Sequence, residues 1–380
     1  MRVRVLIAGE SAAVRRFLCD AIDADPSLEF AGAAARGEVV LAQIARCGPD
    51  AVLMGLAMAE HGGGALLAAI RRSHPALPVL VFSPLTELGA SATLDALAQG
   101  ATDWIVEPHA NVERDAALRS VREELAEKIS AVCPKAALRA QTGAAAIAFE
   151  PRSALPTPNH ASPSHLDCIV IAAACGGPNA LAQIFAAFRE PLPVPIVVAQ
   201  HMPPTFTRVL AERLNQRSNV RAVEAEHGME LEAGTAYVVP GGHRAIVRGR
   251  GPLREIVLEP AAADGPARPA LDPLLESIGE TFGAHVLAVA LTGAWADGGL
   301  GCADLRGRGG ILWAQDEPSS AVWGLGRAIV HAGLPERVLP LADLGAELER
   351  RVRGPIRTLS APLPRERNER VDRFRTYRVV

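Results

Sequence analysis

Cys168-Ile169-Val170-Ile171-Ala172-Ala173-Ala174-Cys175-Gly176-Gly177 reads as a buried strand closing on a tight glycine turn. An apolar run with no polar alternation fits a strand covered on both faces, the habit of parallel sheets. The helix-like pattern Ala180–Phe188 follows at once, and strand, turn, helix is the repeating unit of a doubly wound α/β fold. Pro195–Ala199 and Val286–Leu291 supply two more such strands, the second ending in the turn-rich stretch Thr292–Gly301. Gly241–Gly242 and Gly249–Gly251 predict tight turns between shorter strands at Ala236–Val239 and Ala245–Val247, as hairpins at an edge. A doubly wound α/β domain is therefore expected over residues 166–349.

Towards the N-terminus the same grammar recurs. Strands are predicted at Val3–Ala8, Leu28–Ala33, Ala51–Leu56, Pro78–Phe82 and Asp103–Val106, with helices near Ala12–Asp23, Glu38–Cys47, Ala65–Ser73, Leu88–Gln99 and Val112–Ser130. Five strands alternating with five helices predict a flavodoxin-like, five-stranded parallel sheet over residues 1–130. Residues 131–165 dissolve into Ala, Pro, Ser and Thr and read as an interdomain linker; as a flexible chain it would span about 30 Å. Residues 350–380 carry ten arginines and read as a solvated tail.

The composition agrees with two globular domains. The chain has 380 residues, 49% of them apolar and 21% charged, against roughly 100–200 residues per domain. A net charge of −3 gives no global field favouring nucleic acid. No apolar run approaches a signal peptide or a membrane span, so neither nucleic acid nor membrane insertion is expected. The six cysteines form no CxxC pair or regular spacing, which suggests neither a zinc site nor a disulfide framework and fits a reducing cytoplasm. Only Lys128 and Lys135 are lysines among 39 basic residues, a bias that a GC-rich genome accounts for.

In a doubly wound sheet the reactive groups belong at the carboxyl ends of the strands. In the second domain these ends carry the turn Ala172–Gly177, then Gln200-His201-Met202-Pro203-Pro204, then Leu291-Thr292-Gly293-Ala294-Trp295-Ala296-Asp297-Gly298. A His and an Asp at separate strand ends are the base and orienter of a nucleophile–His–Asp constellation. The pair Gly176-Gly177, together with Ala294, would supply the turn around an oxyanion. The hydroxyl such a site needs is missing.

These residues resemble the CheB-type chemotaxis protein-glutamate methylesterases. The resemblance rests on the two-domain architecture, on Gln200-His201-Met202-Pro203-Pro204, on the Leu-Thr-Gly-x-x-x-Asp-Gly turn ending in Asp297-Gly298, and on Ala314-Gln315 followed by Glu317 and Ser319. It implies a receiver domain joined through a linker to an esterase domain. The implied activity removes methyl groups from glutamyl esters on chemoreceptors and deamidates receptor glutamines, with phosphorylation of the receiver relieving inhibition. The implied partners are methylated chemoreceptors and, as a further candidate, a chemotaxis histidine kinase array. His201 aligns with the base and Asp297 with the orienting acid. The family's nucleophile turn, Gly-Ala-Ser-Thr-Gly-Gly, here reads Ala172 to Gly177, so Ala174 stands in the serine position and Cys175 in the threonine position. The family's Met-Gly-Asn before the acid has become Ala294-Trp295-Ala296. Cys175 as substitute nucleophile would need a thiolate activated beside a His, whereas one residue out of register on a sharp turn it reads as an inert small hydrophobe.

The receiver half is altered in the same way. Phosphoryl transfer onto a carboxylate needs a divalent cation and an ammonium to neutralise the moving oxygens. Strand one ends in Gly9-Glu10, so one acid of a pair remains; Gly55 stands in the phosphoacceptor position, Ser83 supplies the hydroxyl, and Glu107 replaces the lysine. Asp50 and Glu60 are poorly placed to serve as acceptor. No cofactor is expected, and the missing carboxylates argue against Mg²⁺ at the receiver remnant. Three readings stand: a weakly active esterase using Cys175 or a water activated by His201, a CheB-like scaffold without turnover, and a phosphorylation-switched interaction module.

Overall fold

The computed structural model describes residues 2–60, 64–108, 111–133, 163–250, 253–260, 270–294 and 297–354. The greater part of the expected linker, most of the tail, and Trp295 and Ala296 lie outside the described residues.

The first domain runs β1 (Val3–Ala8), α1 (Ala12–Asp23), β2 (Leu28–Ala34), α2 (Gly37–Cys47), β3 (Ala51–Gly55), α3 (Leu56–Glu60), α4 (Ala65–Ser73), β4 (Val79–Pro84), α5 (Glu87–Ala98), β5 (Asp103–Glu107) and α6 (Arg114–Val132). Its strands lie parallel in the order β2-β1-β3-β4-β5, the flavodoxin-like order expected from the alternation. One element differs. The strand expected to reach Leu56 stops at Gly55, and Leu56 opens the short helix α3; Leu56, Met58 and Ala59 still bury, and an apolar run does not reveal where a strand gives way to a helix. The starts of α1 and α5 are fixed by side-chain caps: Ser11 Oγ accepts from Val14 N at 3.3 Å and Thr86 Oγ1 from Gly89 N at 3.0 Å, each cap contributing on the order of 1 kcal/mol.

The second domain runs β6 (Cys168–Ala173), α7 (Gly177–Ala187), β7 (Ile196–Gln200), α8 (Pro204–Arg217), β8 (Arg221–Glu224), β9 (Met229–Glu230), β10 (Thr235–Val238), β11 (His243–Arg250), β12 (Leu253–Pro260) and α9 (Leu271–Phe282). It continues with a 3-10 turn (Gly283–His285), β13 (Val286–Ala290), α10 (Gly299–Gly307), β14 (Ile311–Gln315), α11 (Leu325–His331), β15 (Arg337–Leu339) and α12 (Leu341–Arg353). Seven strands pair in the order β15-β14-β13-β6-β7-β10-β8, all parallel. All residues of β6, β7, β13 and β14 are buried, which explains their unbroken apolar sequences. The hairpin expected at an edge is β11–β12, antiparallel and set in a separate three-stranded sheet with β9; β10 instead joins the main sheet. Two boundaries also move. Helix α7 begins at Gly177, three residues before the expected start, and α12 carries the domain through Arg353, with Arg350 and Arg353 paired to Glu347 and Glu349.

The two domains pack together. Trp104 of β5 stacks on Phe206 of α8 with ring centroids 5.8 Å apart, Asn179 Nδ2 donates to Leu97 O at 2.8 Å, and Arg213 pairs with Asp95 at 2.8 Å. Arg208 pairs with Glu87. One apolar cluster runs through both sheets, from Leu6 and Val81 to Ile171 and Phe206.

Candidate active site and receiver remnant

Because β6 lies between β13 and β7, the three carboxyl-end turns are neighbours. Main-chain bonds continue the sheet past its last pairs: His201 N donates to Ala173 O at 2.9 Å, Leu291 N to Ala172 O at 2.8 Å and Ala174 N to Thr292 O at 3.0 Å. Ala174 therefore sits at the centre, between His201 and Thr292. It is buried at 1% exposure. Gly293, at φ +144°, leaves it room, since a Cβ there would stand 2.4 Å from Ala174 Cβ.

A buried hydrogen-bond brace holds this turn. Gln200 Nε2 donates to Ala174 O at 3.0 Å, Thr292 Oγ1 donates to Cys175 O at 2.8 Å, and Thr292 N donates to Gln315 Oε1 at 2.9 Å. Gln315 Nε2 in turn donates to Ser319 O at 2.7 Å. Gln200, Thr292 and Gln315 are all 2% exposed or less, so each bond replaces water the group no longer reaches. The motif around Gln315 and Ser319 thus has a physical reason: it fixes the loop that closes over the turn. Pro203 and Pro204 have one too, as N-cap and first residue of α8, where a proline loses no hydrogen bond.

The glycines of the turn serve geometry. Gly176, at φ +78°, caps α7, and a Cβ there would meet Ala321 Cβ at 2.7 Å. A Cβ on Gly177 would stand 2.0 Å from Gln200 Oε1. Of the two glycines expected around the oxyanion, Gly177 donates its N–H to Ala174 O at 2.8 Å, which commits that group within the turn.

Asp297 ends the same loop as Gly293, and it too has a structural task that the sequence did not reveal. Its Oδ2 accepts from Leu271 N at 2.6 Å and Asp272 N at 3.2 Å, capping α9, while Asp272 Oδ1 accepts Gly301 N of α10 at 2.7 Å. Burial pushes the Asp297 carboxyl upward, opposed by these two N–H bonds.

Cys175 lies under the first domain. Burial, reinforced by the neighbouring Asp103 carboxylate of β5, pushes its thiol well above the ordinary range despite the opposing Lys128 ammonium. A thiol held neutral is no nucleophile, which agrees with reading Cys175 as an inert small hydrophobe and argues against it as a substitute nucleophile. Lys128 of α6 is buried and pairs with Glu124 at 2.9 Å and Asp103 at 3.8 Å, donates to Trp104 O and stands 4.3 Å from the Trp104 ring centroid. Burial alone would lower its pKa; Asp103 and Glu124 outweigh burial and raise it. Cys175, Ala294 and Val322 pack against the apolar cluster of α1, β5 and α6, so the first domain covers the turn where the nucleophile would stand. Nothing in the local sequence signals this, because the partners belong to different domains.

In the first domain Gly55 adjoins Gly9, with open room: a Cβ would have Gly9 Cα at 3.7 Å as its nearest neighbour. Glu10 is exposed. The guanidinium of Arg15, unnoticed in the sequence, donates to Gly9 O at 2.7 Å and Glu10 O at 2.8 Å and so lies at the carboxyl end of β1. Ser83, the expected hydroxyl, is fully buried and bonds Thr93 Oγ1 at 2.7 Å and Gly89 O at 3.3 Å, both on α5. Glu107 ends β5 opposite Pro84, and burial raises its carboxyl. Asp50 accepts Arg4 N at 3.0 Å at the far end of β3. Among the described residues no helix is long and apolar enough to cross a membrane, and none of the six cysteines is disulfide-bonded.

A family model described as CheB methylesterase matches residues 169–348. Three curated relatives, all called protein-glutamate methylesterase/protein-glutamine glutaminase, match over nearly the whole chain. That of Nocardioides sp. is 38% identical over 92% of this chain and 95% of its own. That of Trichodesmium erythraeum is 34% identical over 92% and 99%. A second such protein of Caulobacter vibrioides is 37% identical over 92% and 99%. With its braced turn, His201 and Asp297 on three adjacent strand ends and a covering receiver-type domain, this chain belongs to the CheB methylesterase family.

Proposed function

We propose that this chain is directed at the methylated glutamates of chemoreceptors but turns them over weakly or not at all. The observation that carries the reading is Ala174: it occupies the centre of a fully braced turn beside His201 and offers no atom that can attack a carbonyl. Cys175 is no replacement, being neutral and covered. A water activated by His201 remains, and general-base assistance alone is worth about 10²–10⁴-fold, far below what a nucleophile, base and oxyanion site achieve together. Ala174→Ser tests this. It should release methanol from methylated receptor preparations above the wild-type rate; no gain would count against an otherwise intact site and turn attention to Trp295.

A second reading is favoured by the intact brace and interface: a scaffold that binds receptor segments or a chemosensory array in the cytoplasm without turnover. Retention of methylated receptor by wild type, equal to that by Ala174→Ser, supports it. Phosphorylation control has little support, since Gly55 lacks a carboxylate and Glu107 reverses the charge of the lysine that the chemistry needs.

A further inference from the structure

On the opposite, amino-terminal edge of the second domain's sheet, a group of side chains belongs to neither site. Ligand atoms of His165, Asp167 and His285 all lie within 4.8 Å of one another. We propose that these three residues bind a divalent transition-metal ion of the zinc class, pinning the chain's entry into β6 to the 3-10 turn before β13. The backbone holds the two segments in place without any ion. Asp167 N donates to His285 O at 2.8 Å, and His285 Nδ1 lies 3.3 Å from His165 O. A carbonyl only accepts, so that contact puts the proton on Nδ1 and leaves Nε2 with its lone pair, the arrangement in which a histidine ligates metal.

The imidazoles stack with centroids 4.2 Å apart, and His165 Nε2 stands 3.9 Å from Asp167 Oδ1. Ligands about 2.1 Å from a tetrahedral ion lie roughly 3.4 Å from one another. The remaining contraction falls on the side chains of His165 and Asp167, which are 63% and 51% exposed and turn at little cost. Two imidazoles and one carboxylate suit zinc, nickel or copper and are a poor set for magnesium or calcium. Cys168, next in the chain, is not a further ligand, because it is fully buried and burial holds its thiol protonated. Sequence spacing suggested no metal site because His285 lies 120 residues from His165.

The test is titration of Zn²⁺ into the untagged, chelator-stripped full chain, followed calorimetrically, with His165→Ala, Asp167→Asn and His285→Ala alongside. Wild type should take up one ion saturably in the presence of excess Mg²⁺. His165→Ala and His285→Ala should each weaken that uptake by more than about tenfold, while their metal-free melting temperatures stay near wild type. His165 and Asp167 are exposed, so their variants keep the test valid if His285→Ala melts early. Co²⁺-loaded wild type should show visible d–d bands without thiolate charge transfer. No saturable uptake, uptake unchanged in the His165 and Asp167 variants, or a thiolate band would each overturn the proposal.

Discussion

The two strand-end sites of this molecule, around Ala174 and around Gly55, are held in different ways. Around Ala174 the supporting bonds are retained: Gln200 and Thr292 hold the turn, and Gln315 and Ser319 hold Thr292's loop. Around Gly55 the loss is distributed, with Arg15 at the end of β1, Ser83 turned into α5 and Glu107 where an ammonium is needed. A braced turn stays shaped by its own hydrogen bonds whether or not it reacts. A receiver site is shaped largely by the charges that do its chemistry, so little holds it once they go. The first domain keeps its own core all the same, around Val5, Ile7, Leu53, Leu80 and Val121.

That contrast can be broken experimentally, most severely where the two regions meet. Lys128→Met would leave buried Asp103 and half-buried Glu124 without their cation, a change that costs about 3–5 kcal/mol for buried pairs; denaturant unfolding should show it, and a change below about 1 kcal/mol would mean the ion pairs contribute little to the fold. Next comes the brace itself. Gln315→Ala strands Thr292 N in the interior and releases Ser319 O, for an expected loss of about 1–3 kcal/mol, and should loosen the loop at 318–323 in hydrogen exchange. Asp297→Ala removes the cap of α9 and should cost about 1 kcal/mol, while Asp297→Asn, which keeps an acceptor oxygen, should cost less by the same thermal measurement.

On the unbraced side the expected effects are smallest. Gly55→Asp meets no clash and should shift stability by no more than about 0.5 kcal/mol; incubated with a small acyl phosphate it should gain no phosphoryl group detectable by mass spectrometry. Glu107 gives the pH dependence. Burial raises its folded carboxyl above the unfolded value, so its contribution is fully present below the ordinary carboxylate range and lost as pH rises through the raised value. Glu107→Gln should flatten the stability profile across that window, and an unchanged profile would count against the burial.

Much of the fold was legible because buried parallel strands write themselves as apolar runs: Val3–Ala8 and Cys168–Ala173 match the observed strands end to end. Leu56 was misplaced because a buried position reads the same in a strand end and in a helix start. The site was legible as positions and not as interactions. Ala174 and His201 fall on adjacent strand ends, as motif order implied, but the cap from Asp297 to Leu271 and the bond from Thr292 to Gln315 join distant segments that no local pattern connects. The neutral thiol of Cys175 depends on Asp103 and Lys128, which a reading confined to its own domain does not meet.

Whether the braced turn is a scaffold without a working nucleophile is decided by methanol release from methylated receptors with the wild-type full-length chain and His201→Ala side by side. Release should be indistinguishable between the two and at most marginally above a protein-free blank. Sustained wild-type release that His201→Ala abolishes would contradict the scaffold reading.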